Sequence, residues 1–223
     1  QYQLMEVYSQ ARCSQHLAVP ADVPIDFAPG GLLPAGEGHF LEHHVQVIIP
    51  ACNADMFLGS KVQQYTDRRT NQKFTMHHTG YQNTQFVLNW LERAVPNSNN
   101  IVAIGSSTGA TGLQFWCPSL PKTFKKGQIT CLSDSGLFHT YLRGTSQFSK
   151  SFRNIISDAY DFPPPAFQSD IPNFDAGMMT LRLSRALRKL ENRLLFVEID
   201  FADDSMHDLY FHAYNFLFSS KDK

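Results

Sequence analysis

The sequence predicts one α/β domain in which a mostly parallel sheet is flanked by helices. Apolar runs typical of buried strands alternate with patterns typical of helices, and one strand runs directly into a Gly-x-Ser-x-Gly turn. Alternating strands and helices favour a parallel sheet, because parallel strands need crossover connections. The 223 residues are 43% hydrophobic, which is enough to bury a sizeable core. We therefore expect residues 1–223 to form a single domain.

The predicted elements follow in order along the chain. The first strand covers residues 45–49 and ends before Pro50. The first helix is predicted at 84–95, and the residues expected on its buried side are Phe86, Val87, Trp90 and Leu91. The later elements are a strand at 101–104, a helix after Gly109, a strand at 128–132, a helix at 175–190 and a strand at 194–199. Before the last strand, residues 138–174 are rich in Phe, Ser and Pro, which predicts a lid-like insertion.

Charge gives no reason to expect nucleic acid or an anionic membrane as a partner. Nineteen basic and twenty acidic residues give a formal net charge of −1. The densest basic run lies opposite an apolar helix stripe and is expected to be a solvated face: Arg182, Arg185, Arg188 and Lys189. No stretch is long and apolar enough to span a bilayer. The chain begins at Gln1 without a signal-peptide pattern, so we expect that such a peptide is absent or was removed.

Residues 101–109 predict a nucleophile elbow, which is a sharp turn between a strand and a helix. Ser107 stands between Gly105 and Gly109, directly after an apolar strand. We expect this turn to strain the backbone at the serine and to leave no room for a Cβ atom at either glycine. Ser107 is then the candidate nucleophile, with its hydroxyl at the positive end of the helix dipole. The alternative is a Gly/Ser-rich turn without chemical consequence.

Four blocks of sequence carry a resemblance between residues 45 and 140. They are V-I-I-P-A-C-N-A-D at 47–55, H-H-T-G-Y-Q-N at 77–83, the elbow, and C-L-S-D-S-G-L-F at 131–138. Their order and spacing resemble the pectin acetylesterase family, which includes the Notum-like carboxylesterases. The resemblance implies an α/β-hydrolase-like fold and a serine carboxylesterase that cleaves O-acetyl or O-fatty-acyl esters through a Ser-Asp-His triad. It implies an acylated polysaccharide or acylated protein as substrate, with no cofactor, and we expect a monomer.

The resemblance selects Asp204 as the acid of the triad. The family places its aspartate three residues before a Gln and six before an aromatic residue, and here His207 and Tyr210 stand at these offsets from Asp204. The acid holds the imidazole of the base in its working tautomer. One alternative is that Asp204 caps the helix that follows it. Asp134 is the rival acid, although the resemblance makes it a structural hydrogen-bonding residue beside the nucleophile.

The base is less clearly marked. The family places it in a loop well beyond the acid, and only nineteen residues follow Asp204, so we expect the chain to end before its base. Within the sequence His207 is the candidate, because Asp-x-x-His is the spacing of the SGNH hydrolases, a second possible class. The adjacent histidines His43–His44 and His77–His78 predict no metal site, because neighbours on a strand point to opposite faces.

The predicted oxyanion hole departs from the family. One donor is the backbone N–H of Thr108. The other comes, in the family, from a Gly-Gly-Gly stretch before a cysteine, and its counterpart here is residues 8–13, with Ala11 as the donor. Loss of the glycines restricts the backbone conformations of this segment. The alternative function is therefore an esterase fold that has lost catalysis and serves as a binding domain.

Four cysteines permit two disulfides. Cysteines of plant members of the family stand at places that match Cys117 and Cys131, which implies a bridge between them, with two buried thiols as the alternative. Cys13 and Cys52 are a possible second pair. A disulfide implies an oxidising compartment, so we expect a secreted or lumenal protein, although no Asn-x-Ser/Thr sequon occurs.

Overall fold

The computed structural model describes residues 45, 47–49, 51, 53, 55–67, 70–136, 158, 161 and 176–200, of which 176–181 are described by their backbone alone. Five strands and four α-helices lie in these ranges. In chain order they are β1 (Lys61–Thr66), β2 (Lys73–His78), α1 (Gly80–Ala94), β3 (Asn100–Ser106), α2 (Thr108–Trp116), α3 (Leu120–Thr123), β4 (Gln128–Asp134), α4 (Ala176–Lys189) and β5 (Leu194–Ile199).

A parallel three-stranded sheet in the order β3-β4-β5 forms the centre of the described structure. This confirms the predicted α/β class and the strands predicted at 101–104, 128–132 and 194–199. The register pairs Ser106 with Asp134 and Asp134 with Ile199, so the carboxyl ends of all three strands lie at one edge of the sheet. We call it the carboxyl edge, and the sequence places the candidate site there.

The core lies between this sheet and the helices on one of its faces. In β4 the buried side chains alternate and face α2: Ile129, Cys131 and Ser133. Every residue of α2 from 110 to 116 is buried, and Phe115 is fully enclosed. A helix that is apolar on nearly all sides needs neighbours on all sides. The sheet, α4 and the segment around Leu58 supply them, which fixes the helix that follows Ser107.

In the first part of the chain, one prediction is wrong and one pair of strands was not predicted. Residues 45 and 47–49 are not in a strand, and they line an open apolar cavity of about 460 Å³ beside β3 and α1. The β1–β2 hairpin, which the sequence did not predict, pairs Lys61 with His78 in antiparallel register. In β1 half-buried positions alternate with exposed ones, but polar residues occupy both faces, with Gln63 half-buried and Gln64 exposed, so the apolar alternation of a strand is missing.

The helix predicted at 84–95 begins earlier and turns a different side to the core. It starts at Gly80, and its buried residues are Gly80, Thr84 and Leu88. Phe86 and Trp90 are 70% and 45% exposed, so their predicted burial is wrong. The apolar residues at 86, 87, 90 and 91 lie on two neighbouring sides of the helix. The helix packs against the core through the side that carries Thr84 and Leu88.

The helix predicted at 175–190 is confirmed as α4, with one correction to its charged face. Arg185, Arg188 and Lys189 are exposed as expected, but Arg182 is half-buried. Its guanidinium donates to the carbonyl of Phe115 and to Ser119 Oγ, each at 2.6 Å, and lies 4.9 Å from the centre of the Phe115 ring. A planar fork of donors suits such a double contact. Arg182 therefore ties α4 to the end of α2.

The predicted disulfide between Cys117 and Cys131 is confirmed. The Cα atoms are 6.3 Å apart, and both cysteines are fully buried. The bridge joins the end of α2 to the middle of β4 and so fixes the helix that begins at the candidate nucleophile. The proposed second pair, Cys13 and Cys52, lies outside the described residues.

Replacing both Cys117 and Cys131 by alanine is expected to lower the free energy of unfolding by about 3 kcal/mol, which is the scale for a closed loop of this length. The bridged residues are 14 apart in sequence. Urea unfolding of the two proteins measures the difference. Thiol counting in the denatured, unreduced chain is the direct control, because two reactive thiols at these positions would contradict the bridge.

Candidate functional site

The backbone of Ser107 is strained in the way that the elbow prediction requires. Ser107 is the N-cap residue between β3 and α2, with φ 53° and ψ −114°. A positive φ is uncommon for a residue with a side chain and costs on the order of 1–3 kcal/mol unless the surroundings enforce it. The side chain is exposed at the carboxyl edge. The predicted strand-to-helix turn at Ser107 is confirmed.

Close packing at one of the two flanking glycines enforces this turn. A Cβ atom on Gly105 would lie 2.5 Å from the carbonyl carbon of Gly109 and closer still to its oxygen, so the prediction for Gly105 is confirmed. The prediction for Gly109 is wrong, because a Cβ atom there would have Phe57 at 3.8 Å as its nearest neighbour, which is ordinary contact. The strand and the helix thus meet where Gly105 faces the backbone of Gly109.

Hydrogen bonds from two directions hold the backbone of Ser107. Its N–H donates to the carbonyl of Asp134 at 2.9 Å. Its carbonyl accepts from Thr111, both from the backbone N–H at 3.2 Å and from Oγ1 at 3.4 Å. The backbone of Ser107 is therefore fixed to the end of β4 on one side and to the first turn of α2 on the other.

The carboxylate of Asp134 accepts hydrogen bonds from two serine hydroxyls near Ser107. Ser106 Oγ donates to Oδ2 at 3.3 Å, and Ser135 Oγ donates to Oδ1 at 3.2 Å. The N–H of Ser135 donates in turn to the carbonyl of Ile199 at 2.8 Å, at the end of β5. These contacts link the three strand ends at the carboxyl edge.

The structure describes part of the predicted site. Thr108 is the first residue of α2 and is exposed, so its N–H belongs to the positive end of the helix next to Ser107. The predicted acid Asp204, the candidate base His207 and the predicted donor Ala11 lie outside the described residues, as does the predicted insertion at 138–174 except for residues 158 and 161. The last described residue is Asp200, which directly follows β5 at the same edge.

Sequence reasoning missed a second polar centre, at the start of α1. Asp55 is only 3% exposed, and its carboxylate accepts from the backbone N–H groups of Gly80 at 2.6 Å and Phe57 at 3.1 Å. A Cβ atom on Gly59 or Gly80 would collide with this carboxylate. An acidic group that accepts from the first N–H of a helix caps it and complements its dipole.

His78 lies beside Asp55 and is held at both of its ring nitrogens. Nδ1 lies 3.0 Å from the carbonyl of Asn53 and donates to it, and Nε2 forms a hydrogen bond of 2.8 Å with the hydroxyl of Tyr65. The imidazole packs edge-on against the Tyr65 ring. This cluster fixes the hairpin to the start of α1, and Trp116 Nε1 joins the same segment to α2 through the carbonyl of Phe57.

Asp55 is expected to make folding stability depend on pH in an unusual sense. Burial raises its pKa above the usual 3.8, an effect that the N–H groups of Gly80 and Phe57 partly offset. Between pH 3.8 and the raised pKa, Asp55 therefore keeps a proton in the folded protein that it has released in the unfolded chain. The contribution of Asp55 to stability is therefore present below pH 3.8 and falls as the pH rises from there through the raised pKa.

An Asp55→Asn variant tests this pH dependence. The variant is expected to lack the part of the fall in unfolding free energy with rising pH that comes from Asp55. At pH 7 it is also expected to be less stable than the parent by about 1–2 kcal/mol, because the asparagine amide places an N–H donor against a backbone N–H. Urea unfolding from pH 3.5 to 7 measures both effects. If the unfolding free energies of the two proteins changed in parallel with pH, the raised pKa of Asp55 would be contradicted.

A strained serine between a parallel strand and a helix, at the carboxyl edge of the sheet, is the arrangement found in proteins of the α/β-hydrolase type. Residues 39–161 match the pectinacetylesterase (PAE) family. This match covers more than half of the chain, so the chain belongs to that family. The resemblance given by the four sequence blocks is thereby confirmed. No curated protein matches the chain.

Family membership implies a hydrolase of the carboxylesterase kind. Together with the Cys117–Cys131 bridge it also suggests the secretory pathway, because disulfides persist in oxidising compartments. Within the described part of the chain, the helices are too short or too polar to cross a bilayer.

Proposed function

We propose that the protein is a serine carboxylesterase that removes O-acetyl groups from an acetylated polysaccharide of the pectin type, with Ser107 as its nucleophile. The observation that carries this proposal is the backbone of Ser107, with its positive φ and its exposed side chain at the start of α2. Strain of this kind persists only where the surroundings enforce it and is concentrated at functional sites. The family match supports the ester substrate.

The first half of the proposed reaction acylates the serine. A histidine takes the proton of Ser107 Oγ as this oxygen attacks the carbonyl carbon of the ester. The negative charge that develops on the carbonyl oxygen is stabilised by the N–H of Thr108 and, by the resemblance, by that of Ala11. The bond between the acyl carbon and the sugar oxygen then breaks. The sugar oxygen takes the proton of the imidazolium, so the sugar leaves with a free hydroxyl group.

The second half returns the enzyme to its starting state. The histidine takes a proton from water, the resulting hydroxide attacks the acyl carbon, and acetate leaves as Ser107 Oγ regains its proton. Asp204 orients the imidazole in this proposal. The contacts of Asp134 support this choice, since both of its oxygens already accept hydroxyl hydrogens from Ser106 and Ser135.

The substrate class is tested by acyl-chain length and carrier. We expect acetate release from acetylated pectin, and we expect p-nitrophenyl acetate to be cleaved faster than the palmitate ester. Faster cleavage of the palmitate ester would favour a fatty-acylated carrier instead. Binding of acetylated pectin without release of acetate would favour the binding-domain alternative.

The identity of the base is tested at the histidines that follow Asp204. If His207 is the base, His207→Ala is expected to lower kcat by at least about a thousandfold, since the members of such a triad act as a unit. His212→Ala is the matched control and is expected to retain kcat within about threefold. Full activity of His207→Ala would exclude His207 as the base.

A further inference from the structure

A hydrogen bond between Gln114 and Glu198 connects α2 to β5. Gln114 Nε2 donates to Glu198 Oε1 at 2.9 Å, and the two residues are 84 apart in the sequence. Gln114 is buried at 6% exposure, whereas Glu198 is exposed. A carboxylate acceptor makes such a bond stronger than one between neutral groups. A buried amide that lost this partner would carry an unsatisfied donor.

The position of this bond relates it to the candidate site. Gln114 lies two turns along the helix that begins after Ser107. Glu198 is the register partner of Ser133, so it lies on the sheet face that α2 covers, one residue before the end of β5. Since β4 separates β3 from β5, the two strands do not pair directly. The bond from Gln114 to Glu198 connects β5 directly to the helix that follows β3.

We propose that Gln114 and Glu198 are a positioning pair that fixes the carboxyl end of β5 relative to Ser107. This inference rests on the proposed function, because the strand end leads within a few residues to Asp204, the predicted acid. Catalytic groups act only within narrow limits of distance and orientation, and a misplacement of about 1 Å can cost about a hundredfold in rate. The pair therefore acts through the acid and does not touch the substrate.

The surroundings of the pair show that its geometry is closely constrained. A Cβ atom on Gly136 would lie 3.1 Å from Gln114 Nε2 and 3.1 Å from Ser133 Oγ. Ser133 is fully buried, and its hydroxyl has no hydrogen-bond partner among the described residues. Gln114 is thus confined between the end of β4 and the carboxylate that it binds.

Exchange of the two side chains tests the proposal. Gln114→Glu places two carboxylates against each other and is expected to lower kcat for acetate release by about 10- to 100-fold, with KM changed less than about threefold. The double variant Gln114→Glu, Glu198→Gln restores an amide donor opposite a carboxylate. It is expected to recover kcat to within about threefold of the parent.

Two control variants separate positioning from general effects. Gln85→Glu makes the same change at another helix, where Gln85 donates to Asn89 at 3.0 Å. Ser133→Ala removes the unpartnered hydroxyl beside the pair. Both are expected to leave kcat within about threefold. An unchanged kcat in Gln114→Glu, or a double variant that stays as slow as Gln114→Glu, would overturn the proposal.

Amide hydrogen exchange gives a second measurement that needs no activity. In Gln114→Glu the amides of residues 196–200 are expected to exchange at least about tenfold faster, and in the double variant they return to the parent rate. Unchanged exchange would overturn the pair even if the protein is an esterase. If the parent releases no acetate, the proposed function fails while the exchange experiment still decides whether the pair fixes the end of β5.

Discussion

Ser107→Ala is expected to abolish ester hydrolysis, with a fall in kcat approaching the roughly 10⁶-fold found when the serine of a comparable triad is removed. The alanine variant retains the fold, because the hydrogen bonds of residue 107 come from its backbone. Labelling by a fluorophosphonate probe should disappear together with acetate release. Far-ultraviolet circular dichroism of the variant checks that the fold is unchanged.

The neighbouring serine is the matched control for this experiment. Ser106→Ala removes the hydroxyl of the preceding residue, the last of β3, which donates to Asp134 Oδ2 at 3.3 Å. We expect it to reduce kcat by less than about tenfold and to leave probe labelling intact. Probe labelling that survives in Ser107→Ala but is lost in Ser106→Ala would assign the nucleophile to Ser106.

Gly105→Ala is expected to have the largest effect on stability, at least about 3 kcal/mol of unfolding free energy. The added methyl group would overlap the backbone of Gly109, which cannot yield as a flexible side chain can. Overpacking of a close-packed site costs typically 1–3 kcal/mol, and this overlap is with rigid main chain. Urea or thermal unfolding measures the loss, and activity should fall with the disturbed turn.

Gly109→Ala provides a control at the other glycine of the same motif. Its Cβ atom has space, and alanine is a better helix former than glycine, so we expect a change in stability of at most about 1 kcal/mol, in the stabilising direction. Equal losses for the two variants would contradict the described packing of β3 against α2.

The parts of the fold that could be predicted from the sequence are those in which local pattern and final environment agree. The elbow is one of these, because the strain at Ser107 and the close approach at Gly105 come from residues adjacent in the chain. The strands β3, β4 and β5 are another, since both faces of a covered parallel sheet favour apolar residues. The family resemblance also identified the bridge between Cys117 and Cys131.

Other parts depended on distant contacts. The role of Asp55 arises from Gly80, 25 residues away, and no local signal marks it. Residues 45–49 have a strong strand pattern but no strand partner among the described residues, and β propensity reflects packing against neighbours more than an intrinsic backbone preference. Arg182 has the spacing of a solvated face, yet acceptors on Phe115 and Ser119 hold it against α2.

The bond from the N–H of Ser107 to the carbonyl of Asp134 joins two main-chain groups. Any residue at position 134 can therefore supply the same acceptor, whatever its side chain. The shape of the elbow and the charge beside it are consequently separable properties. Protein engineering could vary the polarity next to the nucleophile through position 134 while the serine keeps its orientation.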